Sequence, residues 1–169
     1  GAEEARVQGI RQTIFSADRQ YRYTLWREWD LFDTRYAMFI GLNPSTADET
    51  QDDPTIRRCR TFAKSWGFSA LCMTNLFAYR ATNPRVMRDQ AEPVGADNDD
   101  WLRACAEAAA LIIVAWGTGG AWRGRGLAVA SLLQDYELMC LDVTAGGHPR
   151  HPLYLSGRVV PTRWLLRER

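Results

Sequence analysis

Two neutral amides, an indole and two imidazoles stand where apolar runs stop. Asn43 follows "YAMFIGL", Asn75 closes "SALCMTN", Trp116 and Gly117 close "LIIVAWG", and His148 and His151 fall in "GGHPRHP". Amides and a neutral imidazole offer directed hydrogen bonds without net charge. That chemistry reads the polar edge of a heterocycle, holds a water molecule, or donates to a leaving group that gains negative charge. Each residue also has an ordinary structural explanation. Asn43-Pro44 is a common turn pair, because asparagine bonds its own backbone and the proline forces the preceding residue into an extended conformation. Asn75 could cap a loop, Trp116 could be core, and the two histidines, each followed by or next to proline, could be rigid surface residues. Their shared position at the ends of apolar runs is what favours a site.

The elements that must carry these residues alternate. "YRYTLWREWDLFD" has the alternation of a strand or hairpin. "YAMFIGL" is an unbroken apolar run of strand length. "DDPTIRRCRTFAKSW" follows it with aspartates suited to an N-cap, Pro54 in the first turn, and Ile56, Cys59, Phe62 and Ala63 at helical spacing. "SALCMTN", "LIIVAWG" and "ELMCLDV" repeat the strand pattern, and "GADNDDWLRACAEAAA" and "WRGRGLAVASLLQDY" repeat the helical one, the latter beginning after its glycines. Continuous apolar strands separated by helices imply a mainly parallel four-stranded sheet covered on both faces, an α/β three-layer sandwich with an N-terminal strand or hairpin added. In such sheets ligands bind beyond the carboxyl ends of the strands. All of the residues above are therefore expected at one edge. The tail "TAGGHPRHPLYLSGRVVPTRW" is too long for a mere connector and too rich in apolar residues for disorder.

With 169 residues, 46% hydrophobic and 24% charged, the chain reads as a single domain over residues 1–169, residues 1–20 forming an N-terminal extension. No apolar run approaches the roughly 20 residues of a membrane helix. The opening "GAEEARVQG" lacks the basic-then-apolar pattern of a signal peptide, so a cytoplasmic location is expected, as a monomer and away from membranes. Cys59, Cys72, Cys105 and Cys140 form no C-x-x-C pair, which argues against a zinc ribbon, an iron–sulfur cluster or a disulfide framework; no metal or other cofactor is expected. Two histidines without a partner carboxylate motif are too few for a metal hydrolase. "GTGGAWRGRG" lacks G-K-[ST] and does not fit G-x-G-x-x-G, so it is not read as a phosphate loop.

Net charge is +1, which supplies no global attraction to nucleic acid. The distribution is uneven: five arginines and one glutamate lie between His148 and Arg169, and five acids and one base between Glu92 and Glu107. Lys64 is the only lysine. The arginines suit bidentate phosphate contacts, but a GC-rich coding bias is the preferred explanation for them.

The ordered set "GLNPS", "MTNLF", "LIIVAWG", "HPLYLSGR" resembles the uracil-DNA glycosylase superfamily over roughly residues 36–158. More narrowly, "GLNPSTAD", "DDPTIRRC", "NLFAYRAT" and "GHPRHPLYL" resemble an uncharacterised bacterial and phage family, a domain of unknown function. The wider resemblance implies that Asn43 orients the attacking water, a position held by aspartate in the uracil enzymes and by asparagine in the mismatch-specific branch. It implies that Ser45 replaces a gating tyrosine or a glycine, that Asn75, with Phe77 beside it, binds a flipped base, that His151 bonds the departing base, and that Leu155 fills the vacated stack. Ser156, Arg150 and Arg158 would then face DNA.

Breaking an N-glycosidic bond leaves negative charge on the base, so a donor such as His151 lowers the barrier. Neutral Asn43 can position water but is a poor base. The chain departs from the superfamily pattern in a second histidine, His148, which leaves open which imidazole acts. It departs again in "DDPTIRR", where Asp53 and Arg57, with Trp116 nearby, could shape a different pocket or merely cap and solvate a helix. The expectation is an N-glycosylase acting on a flipped pyrimidine in DNA, with or without a 5-substituent. The alternative is a module on the same fold that binds a base or nucleotide without cleaving it.

Overall fold

The structure is a computed structural model and describes residues 11–165. The expected N-terminal extension therefore lies partly outside the described residues, as do the last four positions of the expected domain. In chain order the elements are β1 (Ile14–Phe15), β2 (Arg22–Glu28), β3 (Tyr36–Gly41), α1 (Pro54–Ser65), β4 (Ala70–Asn75), α2 (Pro84–Arg88), α3 (Asn98–Glu107), β5 (Leu111–Val114), a 3-10 segment (Thr118–Gly124), α4 (Arg125–Leu132), β6 (Met139–Cys140) and β7 (Thr162–Arg163).

The α/β class holds, but among the described residues the sheet has seven strands and is mixed, in the order β1-β2-β4-β3-β5-β6-β7. Four central strands with an N-terminal strand or hairpin were expected, which left out the C-terminal strand β7. Strands β4, β3, β5 and β6 run parallel to one another. The additional strands are antiparallel and sit at the edges: β2 pairs with β4, β1 with β2, and β7 with β6. An edge strand leaves a row of backbone donors and acceptors open, and these segments close it. Two-residue strands such as β7, both of whose residues are exposed, carry no apolar pattern by which a sequence would betray them. The long tail thus contributes a strand, and the loop after β4 contains the short helix α2.

Side-chain alternation divides the core in two. Ala37 and Phe39 of β3, Leu71 and Met73 of β4 and Ile113 of β5 pack with Ile56, Cys59, Phe62 and Ala63 of α1. Met38, Ile40, Cys72, Ile112 and Val114 point to the other face, against Leu102 and Cys105 of α3 and Val129 and Ala130 of α4. Full burial of each large apolar side chain contributes about 1.5–3 kcal/mol. The four cysteines are buried and free.

Helix α1 starts where the sequence predicts. Asp53 is its N-cap, accepting the Ile56 N–H at 2.9 Å, and Pro54 occupies the first turn, where no N–H is needed. The loop before it is fastened by one side chain. Arg27 donates through Nε to Asp52 Oδ1 at 2.8 Å and through Nη2 to the carbonyls of Asp48 and Gln51 at 2.6 and 3.0 Å. Asp52 Oδ2 takes Arg60 Nη1 at 2.7 Å. The start of α1 is therefore rigidly placed beside the ends of β3 and β4.

Candidate functional site

A cleft of about 410 Å³ opens at the carboxyl ends of β3 and β4, between the N-terminus of α1 and the segment carrying His151. Asn43, Ser45, Asp53, Asn75 and His151 all border it. A second hollow of about 300 Å³ lies at the other end of the sheet, around Ala110, Ile112 and Tyr136, where Glu137 is the single ionisable side chain other than the Tyr136 phenol. It has no converging polar groups, and the candidate site is the first.

The cleft is built from the strand ends. Gly41 and Asn75 are paired in the parallel register of β3 and β4. Asn75 belongs to the face that carries Leu71 and Met73, and its side chain fills the space that a Cβ on Gly41 would take. Asn75 is 2% exposed, yet its side-chain amide makes no hydrogen bond within the described residues. Its backbone, in contrast, is fixed. Asn98 Nδ2 donates to the carbonyls of Asn75 and Leu76 at 3.0 and 2.9 Å, and Arg125 Nε donates to the Leu76 carbonyl at 2.9 Å. An anchored backbone with an amide that opens on the cleft without an internal partner is the arrangement of a ligand-reading group, because its donors and acceptor remain available to a bound molecule.

Asn43 is oriented by what surrounds it. Its Nδ2 donates to the Ala81 carbonyl at 2.8 Å and to the Pro44 carbonyl at 3.2 Å, and the Ala81 N–H returns a bond to the Pro44 carbonyl at 2.9 Å. Carbonyls only accept, so the NH₂ must face them and Oδ1 is turned away as a free acceptor. Ser45 Oγ lies 3.0 Å from Thr82 Oγ1, stitching the same two loops together. The cleft thus offers an acceptor at Asn43 and a small residue at Ser45.

His151 supplies a donor. Its Nδ1 accepts the Leu153 N–H at 3.2 Å, so the proton of the neutral ring sits on Nε2. Burial lowers the affinity of this imidazole for a second proton, and the nearby Asp53 charge opposes that effect only in part. Asp53 is 9% exposed, with one oxygen committed to the helix cap.

Arg22 was not singled out by sequence reasoning. It borders the cleft, is 2% exposed, and gives one hydrogen bond, Nη1 to the Ala47 carbonyl at 3.1 Å. Its Nε is enclosed without a partner. Burial brings its pKa down to about 10, which leaves it a cation at neutral pH. The signal for it was an arginine opening a strand whose next four residues are all buried.

Other expected site residues lie elsewhere. Trp116 shares the parity of Ile112 and Val114, packs in the α3/α4 face of the core and meets Trp164 edge-on at 5.3 Å. Phe77 is also in that face, 5.2 Å from the Trp122 ring, because alternation breaks down once β4 has ended. His148 belongs to a turn in which its N–H meets Thr144 Oγ1, and it does not border the cleft. Arg57 is exposed and donates to the Asp52 carbonyl. Leu155 is half-buried against the α1 side of the core, its carbonyl taken by Arg58 Nη2. Ser156, Arg150 and Arg158 are exposed; Arg150 pairs with Asp142 at 3.3 Å, and Ser156 Oγ accepts the Arg158 N–H at 3.2 Å.

Among the described residues no group of three or more His, Cys, Asp or Glu side chains is placed to hold a metal ion, and no helix is long and apolar enough to cross a membrane. A sequence model of one family, described as a protein of unknown function (DUF1643), matches residues 22–153, a span that holds Arg22, Asn43, Asp53, Asn75 and His151. Neither a curated protein nor a solved structure matches the chain.

Proposed function

The chain belongs to the DUF1643 family, and from the cleft that the family's matched span encloses we propose that it is a glycosylase-like hydrolase, cleaving the N-glycosidic bond of a flipped pyrimidine in DNA. The observation that carries the reading is Asn75: a side chain 2% exposed, without a hydrogen-bond partner, bordering a cleft it shares with a neutral imidazole. In this reading Asn75 reads the polar edge of the base. The Nε2–H of His151 donates to the base oxygen on which negative charge accumulates as the C1′–N1 bond breaks. Asn43 Oδ1, a free acceptor aimed by Ala81 and Pro44, holds the attacking water. Ser45 leaves room beside the base for a 5-substituent.

The resemblance to the uracil-DNA glycosylase superfamily is part of this proposal. Support comes from the four parallel strands, from helices on both faces, and from four of the matched positions, Asn43, Ser45, Asn75 and His151, bordering one cleft.

A second reading, a module that binds a base or nucleotide without cleaving it, is favoured by the amide at position 43, which is a poor general base. One experiment separates the two. The protein is incubated with single-stranded and duplex oligonucleotides carrying uracil, 5-hydroxymethyluracil or other modified pyrimidines, and abasic sites are scored by alkaline cleavage, with binding followed in parallel. Abasic sites support the enzyme, and Asn43→Ala then abolishes them while binding persists. Saturable binding without base release supports the module. The absence of both overturns the two readings together.

A further inference from the structure

Arg22 is a buried cation that the roles above leave unused. A guanidinium has five N–H donors, and here a single bond, to the Ala47 carbonyl, is made within the described residues. No carboxylate of those residues comes within 4.0 Å of it; Asp53 acts on it only from farther away, and one Asp53 oxygen is already held by the Ile56 N–H. Nη2 has no partner and, unlike Nε, is not sealed off by neighbouring atoms.

A second guanidinium, Arg80, stands close enough to oppose Arg22 electrostatically. It too lacks an ion pair, spending Nη1 on the Arg19 carbonyl at 3.1 Å and leaving Nε enclosed without a partner. Arg27, the third nearby, is neutralised by Asp52. Arg80 lies outside the cleft lining, over the Phe15 ring at 4.7 Å, so on the cleft wall Arg22 is the unpaired cation and Asp53 the one carboxylate. Leaving a buried charge uncompensated is strongly unfavourable, and an anion seated beside it relieves that cost.

We propose that Arg22 seats a carboxylate or phosphate carried by the ligand, so that the cleft prefers an acidic pyrimidine or a nucleotide over a neutral base or nucleoside. The inference rests on the base-binding reading for the rest of the ligand, while the anion site itself stands on Arg22. Bidentate geometry suits both groups, and a carboxylate on the pyrimidine 5-position and a nucleotide phosphate are the two sources of the same chemistry. Asp53 repels such an anion, so the observed preference measures whether the Arg22 guanidinium outweighs it.

Binding is measured calorimetrically at fixed ionic strength for 2′-deoxyuridine, its 5′-monophosphate, 5-carboxy-2′-deoxyuridine and inorganic phosphate. The expected result is that one of the two acidic nucleosides binds about tenfold to a hundredfold tighter than neutral deoxyuridine, as charge-assisted hydrogen bonds imply, the favoured one identifying the source. Arg22→Gln removes the preference, and Arg22→Lys retains part of it. Where Arg22→Gln fails to fold, the comparison among ligands on the parent protein decides alone.

Deoxyuridine binding as tightly as both acidic forms overturns the proposal and leaves the base-binding reading standing. Phosphate binding that Arg22→Gln abolishes, without any nucleoside binding, supports the anion site and removes the base reading. No binding by any anion overturns the proposal.

Discussion

Gly41 and Asn75 are partners across β3 and β4, and a methyl group on Gly41 would stand 2.8 Å from Asn75 Oδ1 and 2.9 Å from Met73 Cε. The strand-ending glycine is there to make room for an amide. Gly41→Ala should therefore displace the Asn75 side chain and weaken ligand binding, at a stability cost of about 1–3 kcal/mol. In an Asn75→Ala background the oxygen is gone and Met73 can swing aside, so the same substitution should cost less. Urea denaturation of the four proteins measures the coupling; additive costs would separate Gly41 from Asn75.

Asn75 and Asn98 should behave as opposites. Asn98→Ala strips a donor from two buried carbonyls and should destabilise by about 1–3 kcal/mol. Asn75→Ala removes an unpartnered amide and should change stability by less than about 1 kcal/mol, while reducing base affinity by about 1–3 kcal/mol. Denaturation and binding measured on both variants check this. A large stability loss in Asn75→Ala would make that asparagine structural.

Asn43→Asp should not create a better enzyme. The amide NH₂ donates to two carbonyls, and an ionised carboxylate placed there can only repel them. The carboxyl pKa in the folded state is then raised, so the variant should be destabilised by about 1–3 kcal/mol at neutral pH and should recover as pH falls through that raised value, where the protonated group donates again. Denaturation midpoints from pH 4 to 8 test this; a variant as stable as the parent at pH 8 would refute the assigned amide orientation.

His151 should make stability pH-dependent. Burial holds its folded pKa below the ordinary 6.5. Below that value the unfolded chain takes up a proton that the folded chain resists, so the contribution is full above about pH 6.5 and is lost as pH falls toward the lower folded value. A proton on Nδ1 would also oppose the Leu153 N–H. The difference between parent and His151→Gln in denaturation free energy should shrink on acidification from pH 7.5 to 5.5. A constant difference would show that the imidazole is not held neutral.

The sequence by itself determined the local elements and the edge at which the candidate site sits. Apolar runs ended by Gly41, Asn43 or Asn75, and a helix opened by Asp53 and Pro54, are settled by interactions within a few residues, so they are legible in one dimension. Strand parity was also written there: Trp116 lies two residues beyond Val114 and four beyond Ile112, and so shares their face. What the sequence could not state is which face α1 covers, and that decides why Asn75 enters the cleft and Trp116 the opposite core. Tertiary structure alone brought Ala81 to Asn43, Ala47 to Arg22 and Asn98 to the end of β4, across 38, 25 and 23 positions. Hydrogen bonds over such separations depend on how loops dock after the sheet has formed, and no local pattern encodes them. For the same reason Arg22 read as an ordinary strand arginine until the fold enclosed it.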